Sequence, residues 1–191
     1  MKYCKKVMAV FLALLLLLLS LSACGAGKTS NLMMEKLRDK TINKEEEREN
    51  FVSEETNDGF TFSYEGEFAG FAETKLEGIA DKKQCVKRFS YSQTHVNVEK
   101  LKSIDSTEFI SLASKGDFSD MPLGELISVS FLGTCMAYIA SFIGEDAGVS
   151  DAVYTLLDSR EFEIETNGWR HSIQINETEN VALFSAEFVG G

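Results

Sequence analysis

Proline and tryptophan each occur once in 191 residues, histidine twice and cysteine four times. A single proline, Pro122, argues against a long proline-rich stalk. No C-x-x-C pair occurs, which removes the usual zinc-ribbon and thioredoxin-like readings. His95 and His171 begin no H-E-x-x-H metal site, and no G-x-S-x-G elbow accompanies them. Gly27-Lys28-Thr29 has the tail of a phosphate-binding loop, but the first glycine of that pattern would fall at Ser22 and no strand precedes it. Basic residues are scarce as well, 19 against 30 acidic. No catalytic, metal-ligating or cofactor-binding residue is assigned from these motifs.

What the chain does have begins at its N-terminus. Lys2, Lys5 and Lys6 precede an uninterrupted apolar run from Val7 to Leu19, too short to span a bilayer comfortably. Small residues and a cysteine follow, as Leu21-Ser22-Ala23-Cys24. This arrangement resembles the leader and lipobox of bacterial lipoproteins. The resemblance covers the leader and one further residue. It implies that Cys24 receives a diacylglycerol through its sulfur and becomes the mature N-terminus after cleavage behind Ala23. It also implies a place on the extracytoplasmic side of a bacterial cell membrane, held there by lipid. Two acyl chains suffice for stable anchoring because each buried CH₂ contributes about 0.8 kcal/mol.

Residues 1–23 are therefore read as signal peptide. Taking its three lysines from the 19 basic residues leaves 16 against 30 acidic, a formal charge of −14 on the mature chain. Such a surface repels nucleic acid and anionic lipid headgroups, so nucleic-acid binding is not expected.

Gly25 to Ser30 is small and polar, a tether, and the charges of both signs from Glu35 to Asp58 fit neither a helical stripe nor a strand. Residues 24–57 are accordingly expected to be a lipidated tether and a charged helical or disordered linker. Residues 58–191 are expected to form one α+β domain.

In that body Phe60, Phe62 and Tyr64 alternate with polar residues, as a half-buried strand requires. From Phe68 to Ala80 the pattern is ambiguous, since Phe68, Phe71, Ala72, Leu76, Ile79 and Ala80 suit a helix that Gly70 and Gly78 weaken; it is read as a strand, with Asp81-Lys82-Lys83 as a turn and Cys85 to about Val98 as a further extended segment. Three helices are expected next: Thr107 to Ser114 capped by Ser106, Pro122 to about Ile143, and Ser150 to near Asp158. Asn167-Gly168 is a type I′ hairpin signal that pairs Thr166 with Trp169, Ile164 with His171, and so outward to Phe162 with Ile173. Asn176 to Asn180 makes a second turn and Val181 to Phe188 a third strand. Strands, then helices, then strands predict an antiparallel sheet with a C-terminal three-stranded meander, packed on a long buried helix and two shorter ones.

Leu126 to Ile143 carries no charge. Its flanks are Glu125, Glu145 and Asp146, with no nearby Lys or Arg, which favours a core helix over a membrane span. Ser130, Thr134, Ala137 and Ser141 recur along it, a face small enough for close approach of a neighbouring element, or a groove for an apolar ligand. Cys85 and Cys135 are a possible disulfide, with two unpaired thiols as the alternative. His171 shares its face with Ile164 and Trp169, so a hydrogen-bonded core or sheet-edge histidine is expected. Glu161, Glu163 and Glu165 read as a solvated sheet face, and Asp117, Asp120 and Glu125 as caps or weak metal ligands. Asn176-Glu177-Thr178 matches a glycosylation sequon that a bacterial lipoprotein does not normally use.

The expected function is recognition: a lipid-tethered envelope module that binds an envelope protein or an apolar ligand. An envelope hydrolase assembled from distant residues is the alternative, and it requires one of the histidines to meet a carboxylate and a Ser or Cys in a cleft.

Overall fold

The computed structural model describes residues 29–42, 45–115, 118, 120–143 and 163–190. Four helices are seen in it: α1 Met34–Thr41, α2 Val98–Ser103, α3 Ser106–Lys115 and α4 Leu123–Ile143. The strands are β1 Val52–Thr56, β2 Gly59–Phe68, β3 Ala72–Ala80, β4 Val86–Gln93, β5 Glu163–Thr166, β6 Trp169–Asn176 and β7 Val181–Phe188. They form one antiparallel seven-stranded sheet in the order β1-β2-β3-β4-β7-β6-β5. The expected α+β class, with its C-terminal meander and long helix, is the observed architecture.

Alternation makes the layers. Phe62, Tyr64, Leu76, Phe89, Tyr91 and Phe184 all point to one face and are buried there. Against that face lies α4, which is apolar nearly all round, with Ile127, Phe131, Tyr138, Ile139 and Phe142 in the core. By length and composition Leu123–Phe142 would suffice to cross a membrane, but half of it is buried within the fold. The small-residue side is half-buried, and its hydroxyls bond inside the helix, Thr134 to the Ser130 carbonyl and Ser141 to the Ala137 carbonyl. Gly133 lies there too, open to the ring of Phe109 on α3.

A polar thread crosses the same interface. Tyr91 donates its hydroxyl to Gln93 Oε1 at 2.9 Å, and Gln93 Nε2 donates to the Ile127 carbonyl at 3.2 Å. Both side chains are buried, so this chain satisfies groups that would otherwise be costly.

Gly78 has a packing role. Its cross-strand partner is Phe62, whose ring lies over the glycine. A Cβ at Gly78 would run into that ring and sit 2.6 Å from the Arg88 carbonyl oxygen. Gly78→Val is expected to lower stability by about 1–3 kcal/mol, seen as a lower urea midpoint at unchanged slope. An unchanged midpoint would mean that Phe62 has another place to go.

Three expectations change. The charged stretch before Asp58 is part of the body: Leu37 and Ile42 are buried, and β1 pairs with β2 through Val52–Ser63 to Thr56–Gly59. Thr41 Oγ1 further ties α1 to Tyr138 of α4 at 2.8 Å. The extended segment after Cys85 ends at Gln93, because Asn97 accepts from the Lys100 N–H and caps α2. The cap of α3 is Asp105, which accepts from Glu108 N at 2.8 Å, rather than Ser106. The helix expected at 150–158 lies outside the described residues.

Candidate functional site

The C-terminal hairpin takes the predicted register, Thr166–Trp169 to Glu163–Ser172, with Asn167 and Gly168 both at positive φ. The pair Phe162–Ile173 falls outside the described residues. His171 therefore points into the core, where only 3 % of it is exposed. Its ring lies 5.9 Å from those of Phe142 and Phe184. Contrary to expectation, neither ring nitrogen has a hydrogen-bond partner among the described residues. Burial lowers its pKa, and the Trp169 backbone opposes that only in part. The imidazole is held neutral and unpartnered.

His95 is elsewhere, exposed beyond the end of β4 with φ 60°. Its Nδ1 meets Thr94 Oγ1 at 2.9 Å and its ring packs on the exposed Phe71 at 4.4 Å. Neither histidine meets a carboxylate or a cysteine, so the histidine-dependent hydrolase lacks its constellation among the described residues.

Cys85 and Cys135 are free thiols, which answers the disulfide expectation in favour of its alternative. Cys85 heads β4, where its thiol donates to Met33 Sδ at 3.8 Å. Cys135 is fully buried mid-α4 and its pKa is raised well above the ordinary value by desolvation, which keeps it an inert thiol. Glu125 sits 3.6 Å from Lys100, which also pairs with Glu108, so it is an ion partner. Asn176 holds the β6–β7 turn by accepting from Thr178 N and Glu179 N. No group of three His, Cys, Asp or Glu side chains is placed to hold a metal ion among the described residues. Cys24, Asp117 and Glu161 lie outside the described residues.

The other face of the sheet is a surface of a different kind. Val52, Ser63, Glu77, Ser90, Ser185, Ser172 and Glu163 form one row across all seven strands. The next row runs Glu54, Thr61, Ile79, Arg88, Glu187, Arg170 and Glu165. Where the rows cross β3 to β5 the sheet is hollowed into an open concavity of about 540 Å³, lined by Arg88, Ser90, Arg170, Ser172, Ser185 and Glu187 among others. A second one of about 330 Å³ lies on β1 to β3. Arg170 pairs with Glu165 at 3.7 Å. Serine hydroxyls with arginines and carboxylates in fixed register can donate and accept many hydrogen bonds. His171, on the reverse face, is not positioned to activate any of these serines.

On the inner face the described side chains pack closely. Rings of Phe89, Tyr138, Phe142, Trp169 and Phe184 fill it at centroid distances of 4.6–6.2 Å. The apolar ligand considered beside residues 126–143 finds that interface occupied by side chains. Sequence reasoning missed the outer rows because their members come from seven separate strands and become neighbours only through the register. No family model, curated protein or solved structure matches this chain.

Proposed function

We propose that this chain is a lipid-anchored lipoprotein of the bacterial envelope, and that the uncovered sheet face is the surface through which it recognises an envelope partner. The observation that carries the reading is the contrast between the two sheet faces: one sealed by α4, the other open, concave and lined by ordered polar rows. The leader and Leu21-Ser22-Ala23-Cys24 supply the anchor. Recognition is favoured over catalysis because the sheet itself separates the serines of the outer face from His171, and His95 lies beyond the end of β4.

Expression of the full chain and of Cys24→Ser tests the anchor. The wild type should yield an N-terminal peptide that begins at Cys24 and carries diacylglycerol, and should fractionate with membranes. Cys24→Ser should lose the lipid and the retention; unchanged behaviour refutes the anchor. For the surface, Arg88→Glu with Arg170→Glu should leave acylation and Tm within a few degrees of wild type while reducing in-cell cross-links to envelope components several-fold. Cross-links at wild-type yield would place recognition elsewhere.

A further inference from the structure

The topology puts one end of the body next to the tether. Leu32 accepts from Val86 N at 2.8 Å, Met34 N donates to the Gln84 carbonyl at 3.0 Å, and Met33 bridges Cys85. The chain thus enters the fold beside the β3–β4 turn. Phe71 and His95, whose rings meet, lie past the other ends of β3 and β4, the nine-residue length of β3 away, or about 30 Å at 3.3 Å per residue. Cys24 and Leu32 are eight positions apart in the chain. Fully stretched, that length reaches about 29 Å at most. A lipid on Cys24 therefore holds the β3–β4 turn near the bilayer surface and leaves the Phe71–His95 end far from it.

That turn carries the charge the rest of the molecule lacks. From residue 82 to 88 the sequence reads Lys-Lys-Gln-Cys-Val-Lys-Arg, with no acidic residue among them. Lys82, Lys83, Lys87 and Arg88 are all exposed. None of the four forms an ion pair among the described residues, whereas Arg38, Arg48, Lys75, Lys100, Lys102 and Arg170 all sit against carboxylates. The nearby acids are few. Asp81 spends one oxygen on the Lys83 and Cys85 amides, Asp58 occupies the neighbouring β1–β2 turn, and Glu187 is opposite Arg88.

We infer that the turn carrying Lys82, Lys83 and Lys87 is a membrane-facing contact that rests on anionic phospholipid headgroups and sets the orientation of the body. The inference rests on the Cys24 anchor proposed above. An acidic body is repelled from an anionic surface, so this cationic corner, unpaired among the described residues, chooses the approach. The tether already supplies proximity, and only a weak local attraction is needed to select the pose. The polar concavity then stands side-on to the membrane, open to a partner in the envelope space.

The full chain, processed in a bacterial host and reconstituted as the lipidated protein, is placed in vesicles of phosphatidylcholine with or without 30 % phosphatidylglycerol. Amine acetylation is read residue by residue by mass spectrometry. Labelling of Lys82, Lys83 and Lys87 should fall at least threefold in the phosphatidylglycerol vesicles and return at 0.5 M salt, because the contact is screened. Lys102, on α2 toward the opposite end of the sheet, should label equally in both. Equal labelling of the turn lysines in both vesicles, with the Cys24 acyl group present on the N-terminal peptide, overturns the orientation and leaves the anchor standing. Protection of the same size without phosphatidylglycerol overturns the electrostatic contact. An N-terminal peptide without lipid overturns the anchor, and the orientation with it.

Discussion

Phe89→Ala should lower the unfolding free energy by roughly 3–5 kcal/mol, enough to leave a domain of ordinary stability partly unfolded at room temperature. Phe89 is the hub where the sheet and α4 meet. Its ring stands edge-on to Tyr138 at 5.0 Å and lies 5.9 Å from Phe184 and 6.2 Å from both Phe142 and Trp169. One side chain on β4 therefore touches α4, β7 and β6, and truncating it removes those contacts and leaves a cavity that rigid sheet backbone cannot close. Trp169 is the only tryptophan, and its position beside the cavity makes its fluorescence a direct report of the transition. Phe71→Ala is the reference: that ring is 52 % exposed, and its loss should change stability by about 0.5 kcal/mol or less. Equal losses for the two variants would show that α4 is not held to the sheet through this cluster.

The parts of the fold legible in the sequence are those written locally. Asn167-Gly168 with alternation on both sides gives a register that the structure reproduces, and the apolar run after Pro122 gives α4. The stretch before Asp58 was illegible for a physical reason. Its helix α1 buries only Met34 and Leu37, and β1, Val-Ser-Glu-Glu-Thr, is exposed along its whole length and joins the sheet by backbone pairing. Neither leaves a periodic pattern. The β4–β7 pairing, which fuses the two halves of the sheet, links residues nearly a hundred apart in the chain and has no local signal at all. The outer rows depend on that pairing, so the candidate surface could not be seen before the topology was known. His171 is the intermediate case: alternation placed it on the buried face, but only the packing of neighbouring strands reveals that it has no hydrogen-bond partner.

The burial of His171 makes it a source of pH-dependent stability below about pH 6.5. An unfolded histidine titrates near pH 6.5. In the fold the pKa is lowered by burial, so between the two values the unfolded chain binds more protons than the native one. Stability is therefore full above about pH 6.5 and falls as pH drops, by up to about 1.4 kcal/mol per pH unit until the folded pKa is reached. No charged group offsets this among the described residues. Ile164 and Ala186 flank His171 in register, Phe142 and Phe184 cover its ring, and Tyr138 on α4, which packs on that same Phe184, is kept neutral by burial. His171→Leu should flatten the profile over this window and, by deleting two buried unsatisfied nitrogens, raise stability at pH 5.5 above that of the wild type. Urea unfolding at half-unit pH steps decides the matter. A His171→Leu protein that keeps the wild-type slope would assign the proton uptake to another group.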